Sequence, residues 1–472
     1  MLTLFDPSSI RRGACVGLTL VLCLACGDEV GSPEARRPVL VVGVDGLEWS
    51  VLVPLLAQGE LPTIARWIEF GEAGLLKSMR PTKSPVIWTT IATGMTPRTH
   101  GILDFVRQGE SGTPSLFTRL DRKVPALWNM ASEAGRDSAV IGWWMTHPVE
   151  PIRGVMMAQT NTLPGEPGPG GGVWKGAPDL DRPDQVHPSE LRPLLAEVLT
   201  DVDGGLDARL TEIFGELDFA DEPLVERMWG ASRWSVRADA IYVETLNRLL
   251  DGPSASFDLA MLYLGGADVL GHRFWRYHQP GDFEHPPSSW EVERFGSVLT
   301  NYYRFLDSIF AGIDARAAGR WNILVVSDHG MRAHHADSNF EEEQQLGKLT
   351  SGHHFQAPAG VVLATGPDFR RGALSADWAN VSIDDLRTLG GVYDVTPTVL
   401  TLMGLPTASD MHGRPMERLF SREFLAAERA SEIATYGAEG MELGPGGAET
   451  IAGDEAEEAE RLEQLRDLGY IE

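Results

Sequence analysis

Cysteine is absent from every position after residue 26. The three that occur, Cys15, Cys23 and Cys26, all lie in the first 26 residues. The rest of the chain therefore has neither a disulfide framework nor a thiolate metal site. Positive charge is also scarce. Forty Lys and Arg stand against 67 Asp and Glu, for a formal charge of −27. That balance excludes a broad nucleic-acid-binding surface, which needs basic patches to neutralise phosphates. It leaves room for a small anionic substrate, because a bound metal can dominate the local field. No apolar run is long enough for a transmembrane helix. No Walker A loop or Rossmann fingerprint accompanies the first apolar strand. What is present is ordinary globular material, 472 residues of which 43% are hydrophobic and 23% charged. That is enough for a large core.

The leader has its own pattern. Arg11 and Arg12 form a short basic region, Gly13–Ala25 is apolar, and the run ends "LCLACGDE". An apolar run of that length reads as an export signal. With Ala25 directly before Cys26 it resembles a bacterial lipoprotein signal, in which that cysteine is lipidated and becomes the mature N-terminus. The alternative is an ordinary secretory signal cleaved nearby. Either way the protein is expected to be exported, periplasmic or at the cell surface. In the first case it is held to a membrane by a lipid anchor at Cys26. Residues 27–37 then read as a polar tether.

From residue 38 the pattern changes. "PVLVVGVDG" (38–46) is a continuous β-branched run of the kind required by a strand buried on both faces. Leu47–Phe70 follows with helical spacing, broken near Gly59–Pro62. Apolar runs recur at 257–268, 321–330 and 360–367, with the helical stretch 297–319 between the first two of these. Strands alternating with amphipathic helices predict an α/β fold, a mostly parallel central sheet with helices on both faces. Residues 161–185 are Gly/Pro-rich. Residues 186–250 are acidic and helical, so that about 160–250 reads as an inserted cap or a lateral layer. "VYDVTPTVLTLMGLP" (392–406) closes a domain spanning 38–420, and 421–472 reads as an acidic helical tail with a last helix near 454–468.

The ends of the apolar runs carry the chemistry. The first ends in Asp45, the second in Asp268 with His272 four residues on, and the third in Asp328 and His329. Just before the fourth stand His353 and His354. In open α/β sheets ligands bind outside the carboxyl ends of strands, so these side chains converge on one edge. An Asp at a strand end also caps helices, and a lone Asp-His pair also makes a turn. Their joint occurrence suits Zn²⁺, with Mn²⁺ or Fe as alternatives. Six ligands divide into two three-ligand sites, the pattern of a two-metal centre with ions about 4 Å apart. "RPTKSPVIWTTIATGMTPRTHGI" (80–102) offers Ser84 at the start of a helix. That is a favourable place for a phosphate and equally for a plain N-cap.

These pieces together resemble the alkaline phosphatase superfamily, and within it the type I phosphodiesterase/nucleotide pyrophosphatase family. The resemblance rests on "VDG" (44–46), "SPVIWTTIATGMTPRTHGI" (84–102), "GADVLGH" (266–272), "SDHGM" (327–331), "SGHHF" (351–355) and "DVTPTVLTLMGLP" (394–406). It implies Ser84 as the nucleophile, ligated to one metal with Asp45, Asp328 and His329. Asp268, His272 and one of the 353–354 pair would hold the second. His354 fits the family's Gly-X-His pattern, and His353 is its rival. The implied activity is hydrolysis of a small phosphorylated substrate, phosphodiester or phosphomonoester, through a phosphoseryl intermediate. A phosphotransferase using the same intermediate and a non-catalytic surface lipoprotein are the alternatives.

Two departures bear on the substrate. Nucleotide pyrophosphatases usually carry Thr at the nucleophile and an Asn within three residues of it. This chain has Ser84, with Ile87 and Trp88 in that region. Sulfatases of the superfamily need a C/S-X-P-X-R frame, whereas here Pro85 follows Ser84 directly and the Arg is missing. Lys83 is either a contact to a substrate oxygen or an exposed lysine. His100 and His147 read as packing and turn residues, and Trp143 and Trp144 as core.

Overall fold

Six consecutive apolar residues, Val39–Val44, form β1, and every one of them is buried. Both faces of a strand are covered only when layers lie above and below it. The structure, a computed structural model, describes residues 36–108, 114–159, 176–216, 223–252, 256–334, 336–337, 349–372, 374, 377–428, 431–437, 462, 465 and 466. The leader, most of the tether and of the tail, the predicted helix near 454–468 (apart from three residues), and much of the Gly/Pro-rich stretch lie outside the described residues.

Eight further strands complete one sheet: β2 (Glu72–Lys77), β3 (Ser138–Ile141), β4 (Gly154–Met157), β5 (Val186–His187), β6 (Leu259–Leu264), β7 (Asn322–Val326), β8 (Gly360–Thr365) and β9 (Thr388–Gly391). Their order is β9-β2-β8-β7-β1-β6-β3-β4-β5. β1 pairs in parallel with β6 and β7, and the parallel run continues through β3 and β4. β8 lies antiparallel to both β7 and β2, and β5 lies antiparallel to β4. Seven strands therefore share a direction and two oppose it, so the sheet is mostly parallel, as the sequence predicts.

The reversal of β8 has a consequence for the site. Chain entering an antiparallel strand stands at the edge where its parallel neighbours end. Residues just before β8 therefore share an edge with those just after β7.

The helices follow the predicted breaks. α1 (Trp49–Ala57) and α2 (Pro62–Phe70) are separated at Gly59, which has φ of 74°, and Pro62 opens α2. α3 (Ser84–Thr93) starts with Ser84-Pro85 and stops at Gly94, in the left-handed region at φ 69°. α4 (Arg192–Phe214) and α5 (Arg233–Asp251) come from the acidic stretch, and α6 (Gly266–His278) follows β6. α7 (Val298–Ala317) lies within the predicted 297–319, and α8 (Val395–Leu402) within 392–406. α5 packs against β6 and β3, and α4 against α5 and α7. The segment read as cap or lateral layer thus lies alongside the sheet. α3 crosses β1 where Gly43 leaves room for it. A Cβ at Gly43 would stand 2.6 Å from the Trp88 ring.

Candidate active site

Four adjacent strands, β6, β1, β7 and β8, bring the acidic and imidazole side chains to one edge. Asp45 follows β1, Asp268 lies in the first turn of α6 just after β6, Asp328 and His329 follow β7, and His354 precedes the reversed β8. Gly46 lets the first of these turns close. Its φ is 66°, and a Cβ there would meet the Asp268 backbone at 2.9 Å, so a residue with a side chain is excluded by conformation and by space.

The buried side chains form two groups. Asp45, Asp328 and His329 each present a ligand atom within 4.8 Å of the others, and Asp268, His329 and His354 do the same. His329 belongs to both. Its Nε2 is 3.4 Å from Asp45 Oδ1 and 3.2 Å from Asp328 Oδ2. His272 Nε2 lies 3.5 Å from Asp268 Oδ1, and the His272 ring stands edge-on to His354 at 5.1 Å. All seven residues named from the sequence are buried: Asp45, Ser84, Asp268, His272, Asp328, His329 and His354. The structure places the imidazole of His329, rather than that of His272, in the compact group with Asp268 and His354. His353 stands apart, its ring packed on His334 at 4.8 Å.

Hydrogen bonds orient the imidazoles. His272 Nδ1 faces the Gly352 carbonyl at 2.8 Å and His329 Nδ1 the Gly330 carbonyl at 3.0 Å. A carbonyl only accepts, so both Nδ1 atoms carry hydrogen and both Nε2 atoms keep a lone pair. Thr82 Oγ1 donates to the His354 carbonyl at 2.6 Å, which leaves it to accept from His354 Nδ1 at 3.4 Å. All three rings are thus set in the tautomer that a metal needs at Nε2.

Burial supplies the electrostatics. It holds His272 down to about 3 and lowers His329 and His354 too, although Asp45 partly opposes the shift at His329. Neutral imidazole is the ligating form. Burial, and then the neighbouring Asp45 and Asp268 charges, pushes Asp328 well above the ordinary carboxylate range. Carboxylates gathered this closely stay ionised only beside compensating positive charge.

The donor set fits divalent cations. Asp45 Oδ1, Asp328 Oδ2 and His329 Nε2 are buried and make no hydrogen bond, and Ser84 Oγ shares that condition. Buried polar atoms without partners are costly unless a ligand satisfies them. Ser84 is the first residue of α3, whose positive N-terminal end favours an anion. Two residues earlier Thr82 touches His354, and one turn later Trp88 touches Asp45, so Ser84 is bracketed by contacts to both groups.

Several supporting residues carry no sequence signal. Trp88 Nε1 and the Tyr263 hydroxyl both donate to Asp45 Oδ2, at 3.0 and 2.7 Å. Trp143 and Trp144 are core, standing edge-on to Trp88 and Tyr263 respectively. Asp239, pushed up to about 7 by burial, and Glu48, also raised by burial, cross-link the loops beneath the site. Lys83 pairs with Asp104. His100 bonds Thr90 and the Ile102 amide, and His147 bonds Asp184. A groove of about 430 Å³ lies elsewhere, between α4, α5 and α7, and includes none of the seven residues.

The sheet delivers buried carboxylates and imidazoles to one edge, next to the helix that Ser84 opens, and the family match identifies the protein as a phosphoric-ester hydrolase. The family model of the type I phosphodiesterase / nucleotide pyrophosphatase matches residues 39–382. The chain belongs to that family. No curated protein matches it. Among solved structures it is similar to an inactive murine ectonucleotide pyrophosphatase/phosphodiesterase 5 in complex with AMP, at 14% identity and TM-score 0.45, over 82% of this chain and 100% of that one. A mutant of the alkaline phosphatase PafA is 13% identical with TM-score 0.49, over 82% and 100% of the two chains. Phosphonoacetate hydrolase from Sinorhizobium meliloti is 17% identical with TM-score 0.40, over 64% of this chain and 58% of that one.

Proposed function

We propose that this hydrolase acts on small phosphoric esters through a phosphoseryl intermediate on Ser84, with two divalent cations, most simply Zn²⁺. Asp45, Asp328 and His329 would hold one ion, and Asp268, His272 and His354 the other. The observation that carries this is the close group of buried atoms without hydrogen bonds, Asp45 Oδ1, Asp328 Oδ2 and His329 Nε2, together with Ser84 Oγ, itself buried without a hydrogen bond at the start of a helix whose Trp88 bonds Asp45.

When bound, such cations supply Lewis-acid charge for a developing alkoxide and for a leaving oxygen. The chain's own residues do the rest. Ser84 Oγ attacks phosphorus from the start of α3, and the Oγ–P bond forms as the bond to the ester oxygen breaks. The serine proton ends on the departing alcohol. Water then forms the new P–O bond as P–Oγ breaks, and the serine hydroxyl is restored. Burial keeps the three imidazoles neutral throughout, so they remain ligands and do not shuttle protons.

Hydrolysis of bis-p-nitrophenyl phosphate and p-nitrophenyl phosphate by the body lacking residues 1–26 tests this. The expected outcome is release that a chelator abolishes and that Ser84→Ala lowers by at least about 10³-fold, in keeping with loss of a nucleophile. Release that survives in Ser84→Ala excludes the phosphoseryl route. The ratio of the two rates decides between diester and monoester.

Export with a lipid anchor at Cys26 is proposed from the leader pattern. Among the described residues no helix is long and apolar enough to cross a membrane. The full chain expressed in a bacterium should incorporate labelled palmitate, and Cys26→Ser should not. Equal labelling of both removes the anchor.

A further inference from the structure

Two tyrosines stand side by side on α7, Tyr302 and Tyr303, both fully or almost fully buried. Consecutive residues on a helix point about 100° apart, and these two reach different loops. The Tyr302 hydroxyl donates to Asp239 Oδ2 at 2.5 Å. Asp239, on α5, in turn accepts the N–H groups of Gly265 and Gly266, each at 2.9 Å. Those amides open α6, the helix that carries Asp268 and His272. The fit leaves no slack. A Cβ on Gly266 would stand 2.5 Å from Asp239 Oδ2 and 2.6 Å from the Tyr302 ring.

The Tyr303 hydroxyl serves the other loops. It accepts the Glu48 N–H at 2.9 Å. The Glu48 side chain then accepts from Ser50 N at 2.9 Å and from Met331 N at 3.0 Å. Glu48 is three residues beyond Asp45, and Met331 two beyond His329, so this chain of contacts joins the two loops of the Asp45–Asp328–His329 group. A Cβ on Gly330 would stand 1.9 Å from Glu48 Oε2.

We infer that α7 is a two-armed positioning element: Tyr302 through Asp239 sets the subsite of Asp268 and His272, and Tyr303 through Glu48 sets the subsite of Asp45, Asp328 and His329. The hydroxyls of both tyrosines bond residues other than the named ligands. Each acts by fixing the backbone from which the ligands project, and the one helix that carries both tyrosines ties the two subsites together. The inference rests on the two-cation reading above and goes beyond it by assigning each arm to one ion.

The test is release of metal from the loaded full chain into a chromophoric chelator, followed in time. Wild type comes first, and two ions per chain are expected. Asp268→Asn then assigns the release phase of its own subsite. Tyr302→Phe and Asp239→Asn should each speed that phase by about 10-fold or more, the usual scale for groups one step behind the ligands, and leave the other phase within twofold. Tyr303→Phe should do the reverse. Thermal unfolding of the metal-free variants accompanies these measurements, since a merely structural defect lowers Tm without selecting an ion. Variants that speed both phases alike, or neither, overturn the two-armed assignment while leaving the hydrolase reading intact. A wild type that holds fewer than two ions removes the two-cation reading itself, and the assignment with it.

Discussion

Asp45 is held by two aromatic donors, and this is where single side chains matter most. Trp88 and Tyr263 both bond Oδ2 and leave Oδ1 turned toward His329. Tyr263→Phe removes one of them with little change of shape. The carboxylate loses part of its fixed orientation, and metal affinity should drop about 10-fold, as for other groups that orient ligands. Activity lost at low Zn²⁺ should return at high Zn²⁺, which a titration of rate against metal would show. Activity that stays low at saturating metal contradicts the assignment. The proposed ligands were legible in the sequence because Asp45, Asp268, Asp328 and His329 stand where apolar runs stop, with His272 one turn further on and His354 just before the next run. Trp88 and Tyr263 were not, because a Trp on a buried helix and a Tyr within a strand read as packing. His354 and His353 are adjacent and chemically alike. Their difference is one of direction, set by the Thr82 contact on one side and the His334 ring on the other.

Elements follow the same division. Long runs such as Val39–Val44 and Leu259–Leu264 announce themselves, since a strand buried on both faces needs unbroken apolar sequence. β2, "EAGLLK", and the four-residue β3 and β4 do not, because strands that short or that mixed have no periodicity to read. The direction of β8 was equally silent, for no residue in it encodes which way it pairs. α3 and β1 are coupled at Gly43, where the Trp88 ring takes the space of a side chain. Gly43→Ala should therefore destabilise by about 1–3 kcal/mol through overpacking. It should also displace the Trp88 donor from Asp45, so Tm and metal affinity should fall together. An alanine variant with wild-type Tm shows that α3 yields more easily than this packing implies.

Over the whole molecule, the proposed metal loading is expected to be linked to acidity. Burial holds His272 down to about 3 from an ordinary 6.5. As the pH falls below 6.5 the unfolded chain takes up a proton that the folded chain refuses, so this contribution to stability is full above 6.5 and is lost toward 3. His329 and His354 shift in the same direction. Asp328 in the metal-free chain, and Asp239 whether or not metal is bound, oppose them. The folded value of about 7 for Asp239 lies above an unfolded 3.8, so the folded state gains as pH falls between the two. The loaded protein should thus lose stability steadily below pH 6.5, with a much flatter profile after chelation. At metal a thousandfold above its dissociation constant, loading should add about 4 kcal/mol at pH 7.5. Differential scanning calorimetry from pH 8 to 4, with and without chelator, would register both effects. A gap between the two curves that does not narrow toward acid contradicts the imidazole ligands.

The reversed strand β8 also bears on how such a protein diversifies. The chain leaves the sheet at Val326 and re-enters it at Gly360 at the same edge, and the contacts of Met331 to Glu48 and of Gly352 to His272 tie down both ends of the excursion. Between those two contacts, length and composition can change by insertion, deletion or recombination while strand order and both attachment points stay as they are. The topology thereby separates the edge that carries the acidic and imidazole side chains from the chain strung between its two attachment points, so sequence change in the second need not disturb the first.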